Sequence, residues 1–277
     1  MPMKPPDPEG RSSLFGRLRR RVGRSAAGRG WRRGSALELW QRSLGFAALG
    51  FLTLVPLLIV ISAADPANGQ GFAQWLGEGL GVSATSRKKV EQLIALPGQT
   101  LQTTTAFSLA ALAVFGLSFG AAVQTTYEKI WGLPPARWWA RWRHAVWLAA
   151  LIGLLLLSAT TTLWRQTPLG GVAAVLSAVL FLWWSQRMLL GGRVPWIALL
   201  PGAVATTAGL LGLRVFSRLV FSPLIATNTL AYGPIGTVLV IQSWLVGVGA
   251  VVYGGALAGR LLHDEYPRLE GALKRRR

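Results

Sequence analysis

The stretch LGLRVFSRLVF, residues 211 to 221, sets Arg214 and Arg218 four positions apart inside an otherwise apolar run. What surrounds those guanidiniums depends on the solvent of the run, and the rest of the chain decides that. Of 277 residues, 52% are hydrophobic and only 14% charged, with a mean hydropathy of +0.42. That is too apolar for an ordinary soluble domain. A spanning helix needs about 20 mostly apolar residues, because a rise of ~1.5 Å per residue must cross ~30 Å of hydrocarbon. Six segments satisfy this: Ser43 to Ala63, Thr104 to Thr126, Ala145 to Trp164, Leu169 to Leu189, Ile197 to Phe221 and Pro234 to Ala258. The expected fold is therefore all-α: a polytopic membrane protein with a six-helix transmembrane bundle. It divides into a basic arm (1–42), a transmembrane domain (43–258) and a basic tail (259–277).

Cationic loops are retained in the cytoplasm during insertion, so the distribution of Lys and Arg sets the orientation. With both termini inside, 23 cations fall in the cytoplasm and four outside, the other two of the 29 being Arg214 and Arg218. The reverse arrangement would invert that ratio. Both termini are therefore expected in the cytoplasm. SAAD at 62 to 65 has the small residues of a signal-peptidase site, but the long arm before it and the long apolar run favour an uncleaved anchor.

In the arm, SSLFGRLRRRVGR places Leu14, Phe15, Leu18 and Val22 at helical spacing opposite Arg17, Arg19, Arg20 and Arg24. This predicts a basic amphipathic helix lying on anionic lipid headgroups. Nucleic acid could use the same cations, but an arm already tethered at a bilayer meets lipid first. Between the first two spans, Phe72, Trp75, Leu76 and Leu80 share one face, and Val90, Leu93 and Ile94 form another stripe before Pro97. Two short interfacial helices in that external loop are expected. The loop KIWGLPPARWWARWRH, Lys129 to His144, alternates tryptophan with arginine. Indole rings favour the headgroup level and guanidiniums there find phosphates, so Arg137, Arg141 and Arg143 are expected headgroup contacts.

The inventory argues against enzyme chemistry. There is no cysteine, and the two histidines, His144 and His263, are far apart in sequence, so no metal site is expected. No phosphate-cradling glycine motif or nucleophile elbow appears, and no cofactor is expected. No acidic residue lies deep in a span, which excludes coupling through an intramembrane titrating carboxylate on inventory.

Arg214 and Arg218 then stand out on one face of the fifth span, in its outer third. Snorkelling to external phosphates is one reading, and binding an anionic substrate with Gln242 of the sixth span is the other. Gln242 could hydrogen-bond across spans 5 and 6. Thr160, Thr161, Thr162, Thr206, Thr207 and Ser243 read as packing residues bonded to their own preceding turns. GLSFG (116–120) and GALAG (255–259) permit close helix approach, within the chain or in a homo-oligomer.

Four stretches together resemble the bacterial YihY/virulence factor BrkB family: ALGFLTLVPLLIV with Pro56, YEKIWGLPPARWWARWR, GGRVPWIALLPGAVAT, and AYGPIGTVLVIQSWL with Tyr232, Gly233, Gly236 and Trp244. The likeness covers residues 44 to 260. Where the family commonly has Gly-Ala-Glu at the end of span 6, this chain reads Gly255, Ala256, Leu257, so that glutamate has no counterpart here. The resemblance implies an all-helical protein of the bacterial inner membrane, linked to virulence and envelope integrity. The expected function is transport or handling of an anionic lipid or other envelope amphiphile. The alternatives are a non-transporting scaffold and, from a label the family has carried, a membrane-tethered ribonuclease.

Overall fold

The computed structural model describes residues 34, 37–64, 101–136, 141–160 and 168–274. The arm with Arg17, Arg19, Arg20 and Arg24, the external loop between the first two expected spans, and Arg137 lie outside the described residues. Within them the chain is helical, without strands: α1 (Leu39–Ala64), α2 (Leu101–Trp131), α3 (Trp142–Thr160), α4 (Pro168–Leu189) and α5 (Trp196–Lys274).

A straight helix of 79 residues would extend ~118 Å, yet α5 packs against itself. A Cβ on Gly247 would lie 3.1 Å from Leu213, one on Gly209 2.7 Å from Val251, and one on Gly259 2.6 Å from the backbone of Gly202; Gly255 abuts Thr206. Each step up one limb is matched by a step down the other, so the limbs are antiparallel. Pro223, Gly233, Pro234 and Gly236 fall between them, and proline lacks the N–H that a straight helix would use. The limbs correspond to two of four helical segments that are long and apolar enough to cross a membrane: Ala106–Trp131, Leu169–Leu189, Trp196–Val220 and Val238–Glu265. The described apolar stretch of α3, Trp142–Leu157, is shorter.

α1 packs against α2 and against α5, which in turn carries α4, while α3 leans on α2. Glycines set several of these approaches. A Cβ on Gly116 would meet Leu148 at 2.5 Å, and one on Gly120 would meet His144 at 3.3 Å. GLSFG therefore seats α3 on α2 and GALAG joins the limbs of α5, so both motifs serve packing within the chain. A run of edge-to-face rings crosses the centre. Phe46 meets Phe119 at 4.8 Å and Tyr253 at 5.7 Å, and Tyr253 meets Tyr127 at 6.4 Å. Such pairs are worth about 0.5–1.5 kcal/mol each beyond area burial. That matters in lipid, where apolar burial alone does not drive helices together. Leu176, Ile197, Leu219 and Leu239 stay exposed on the outside, the pattern of a surface facing hydrocarbon.

Candidate functional site

One end of the bundle collects the start of α1, the α2–α3 and α4–α5 connections, and the second limb of α5 near Arg260. Two helices stop there in the same way. Gly132 follows α2 with φ 65°, and Leu133 N donates to Glu128 O at 2.8 Å while Gly132 N donates to Lys129 O at 3.2 Å. Gly191 follows α4 with φ 66°, and Gly192 N donates to Arg187 O at 3.1 Å while Gly191 N donates to Met188 O at 3.1 Å. Both are Schellman endings, which need a left-handed residue that glycine adopts without strain.

Two helix C-termini in one place concentrate unsatisfied carbonyls and negative dipole ends. Arginines answer them. Arg260 donates to Ile130 O and lies 3.8 Å from Asp264. Arg193 donates to Leu190 O at 2.9 Å and to Pro134 O at 2.6 Å. Arg187 donates to Gly192 O at 2.8 Å and to Val194 O, and stacks over Trp196 at 5.4 Å.

Glu128 organises the inner part of this end. It is 4% exposed, and its Oε1 accepts from Gln124 Nε2 at 2.9 Å, Ala136 N at 3.1 Å and Arg193. Gln124 Oε1 lies 2.5 Å from His144 Nε2. With the amide donating to Glu128, that oxygen is the acceptor and the imidazole carries its proton on Nε2. The polar chain runs from α3 through α2 to the α4–α5 connection. The inventory argument against a buried carboxylate is corrected here: α2 continues to Trp131, so Glu128 is inside the bundle end and ion-paired. A buried acid is tolerated when its oxygens are paired and hydrogen-bonded.

Beside the polar chain is a cleft of about 350 Å³, lined by Trp142, Arg143, Trp184, Arg187, Met188 and Trp196 together with Gly191 and Gly192. No acidic side chain lines it. The Arg143 guanidinium rests directly on Gly191, where any Cβ would collide with it. Arg143 stands in the first turn of α3, where the helix dipole is already positive, so the helix end does nothing to neutralise it.

The remaining expected site residues fall elsewhere. Arg141 is exposed just before α3. Arg214 and Arg218 are exposed on the first limb of α5, one position on from Leu213 and from the buried Ser217, hence about 100° round from the seam. Gln242 is half-buried on the facing limb. Its Oε1 is buried and accepts no hydrogen bond, so the expected bond across the limbs is not made there. Thr206, Thr207 and Ser243 bond to Gly202 O, Ala203 O and Leu239 O at 2.8, 2.9 and 2.9 Å, as packing residues do. Thr160, Thr161 and Thr162 have no described side chains.

Sequence reasoning missed Glu128, Gln124, Arg187 and Arg193 as a group. The signal was faint: a Gln-x-x-x-Glu spacing at a helix end, and a glycine-arginine turn with no reason to be near it. Gln186 was also missed; it is fully buried, and neither amide atom has a partner. Among the described residues no three or more His, Cys, Asp or Glu side chains gather as they would around a metal ion.

No family model, curated protein or solved structure matches the chain. What the fold defines is an all-helical protein with four helices fit to cross a membrane.

Proposed function

We propose that this is a multi-pass protein of the bacterial inner membrane that handles an anionic lipid or another envelope amphiphile. In this reading it has six spans, with α1 and α3 added to the four segments above, and both termini lie in the cytoplasm. One observation carries it: at the ends of the apolar spans and in the turns between them, Arg143, Arg187, Arg193 and Arg260 gather with Trp142, Trp184 and Trp196 at a single end of the bundle. Arginine finds phosphate and indole prefers the headgroup level, so this end suits a leaflet of negatively charged lipid. Arg214 and Arg218, exposed near the opposite end, would meet headgroups of the other leaflet by snorkelling. The likeness to the YihY/BrkB family adds an envelope setting to the proposal.

A second reading is favoured by the central ring stack of Phe46, Phe119, Tyr127 and Tyr253, which fills the middle of the bundle. A filled centre suits a scaffold that moves nothing. Lipid analysis of the full-length protein extracted in mild detergent separates the two. Anionic phospholipid enriched several-fold over the parent membrane is the expected result, and a bulk lipid composition would leave the scaffold.

A further inference from the structure

The cleft at the arginine-rich end has a shape and charge that go beyond a general affinity for headgroups. We infer that it is a seat for the phosphate of a single anionic phospholipid, with Arg143 as the binding residue and Arg187 as a positioning residue. The inference rests on the lipid-handling reading and gives it a site.

The two guanidiniums are not equivalent. Arg187 has one nitrogen committed to the carbonyls of Gly192 and Val194 and its plane against Trp196. It is thereby fixed as a wall. Arg143 makes no hydrogen bond or ion pair among the described residues, and its guanidinium lies on the bare backbone of Gly191 at the wall of the cleft. A part-buried guanidinium with no carboxylate beside it calls for an anion from outside, and its planar fork matches two phosphate oxygens. About 350 Å³ lies within the range of small-ligand sites and suits a glycerophosphate group.

The surroundings say which phosphate. Trp142 and Trp196 form an exposed rim, at 59% and 41% accessible, as indoles at an interface do. Below Trp184, steps of four residues along α4 lead to Leu180, Leu176 and Val172. All three are exposed. An amphiphile with its phosphate on Arg143 would find an apolar track for an acyl chain directly beneath, which a free phosphate could not use.

The test is native mass spectrometry of the delipidated full-length protein, titrated with phosphatidylglycerol, phosphatidylcholine or sodium phosphate. One tightly held phosphatidylglycerol is expected, favoured over phosphatidylcholine, and Arg143→Gln should weaken it roughly tenfold. Lys129→Gln, exposed and outside the cleft, should leave binding unchanged, and circular dichroism checks that each variant keeps its helicity. Equal binding of both lipids, or no effect of Arg143→Gln in a folded variant, overturns the assignment. Displacement of the lipid by millimolar sodium phosphate, lost in Arg143→Gln, would overturn the lipid as occupant and give the seat to a soluble anion. Anionic enrichment in cell-extracted protein that survives Arg143→Gln would spare the lipid-handling reading and sink only this site.

Discussion

Arg193 reaches back 65 residues to donate to the buried carboxylate of Glu128, and with that one contact the α4–α5 connection is fastened to the end of α2. Glu128 is 5% and Arg193 28% exposed in their side chains, so the pair is partly shielded from water. Removing one partner leaves the other charge poorly solvated. Glu128→Gln is expected to cost on the order of 2 kcal/mol, below the 3–5 kcal/mol typical of fully buried pairs. Thermal unfolding in detergent, followed by circular dichroism, should show the drop. The double variant Glu128→Gln with Arg193→Met should recover part of it, because the stranded guanidinium is then gone.

The seam of α5 makes a sharper contrast. A Cβ on Gly259 would lie 2.6 Å from Gly202 Cα and N, and backbone cannot swing aside. Gly259→Ala should therefore destabilise by about 1–3 kcal/mol through overpacking. Gly254 has nothing within 4 Å of the same probe position, so Gly254→Ala should be neutral or gain up to about 1 kcal/mol in helix propensity. The two melting curves should separate, and their coincidence would mean that the limbs are not in contact.

Gln186 presents the opposite case, a polar group with nothing to satisfy it. Its amide is wholly buried against Gly202, with Oε1 3.1 Å from where a Cβ on that glycine would stand. Methionine has a similar shape and no need of partners. Gln186→Met is expected to raise stability by about 1 kcal/mol. A fall in the melting temperature would instead show that the amide is satisfied by ordered water.

The orientation can be tested cleanly because the chain contains no cysteine. The single-cysteine variant Asn228→Cys should react with a membrane-impermeant maleimide in intact cells. Arg275→Cys should react only after permeabilisation. Labelling of Arg275→Cys from outside would reverse the proposed topology.

Much of the fold was legible because apolar length is a one-dimensional property. The expected span from Leu169 to Leu189 coincides with α4, and the expected break near residue 197 differs by one position from the start of α5. GALAG also delivered what its small residues promised. The end of α2 was harder. Hydropathy registers the cost of Glu128 but not the Gln124, Ala136 and Arg193 groups that offset it, so the expected span stopped five residues short of Trp131. Arg214 and Arg218 drew the eye because charges in spans are rare, whereas the seam is written in Gly202, Thr206, Gly209 and Leu213. The cleft was hidden for a different reason. Residues 142–143, 184–188 and 191–196 become neighbours only once α3, α4 and the turn at Gly191 are in place, and no local pattern announces that.

Since α5 returns alongside itself, the peptide bonds between residues 220 and 238 carry none of the seam contacts between Gly202, Gly209, Gly255 and Gly259. Two separate polypeptides, 1–226 and 227–277, produced in one membrane, should find each other and restore the bundle through those glycines. Reassembly of that kind would make covalent continuity at the hairpin dispensable and recognition between the halves the requirement.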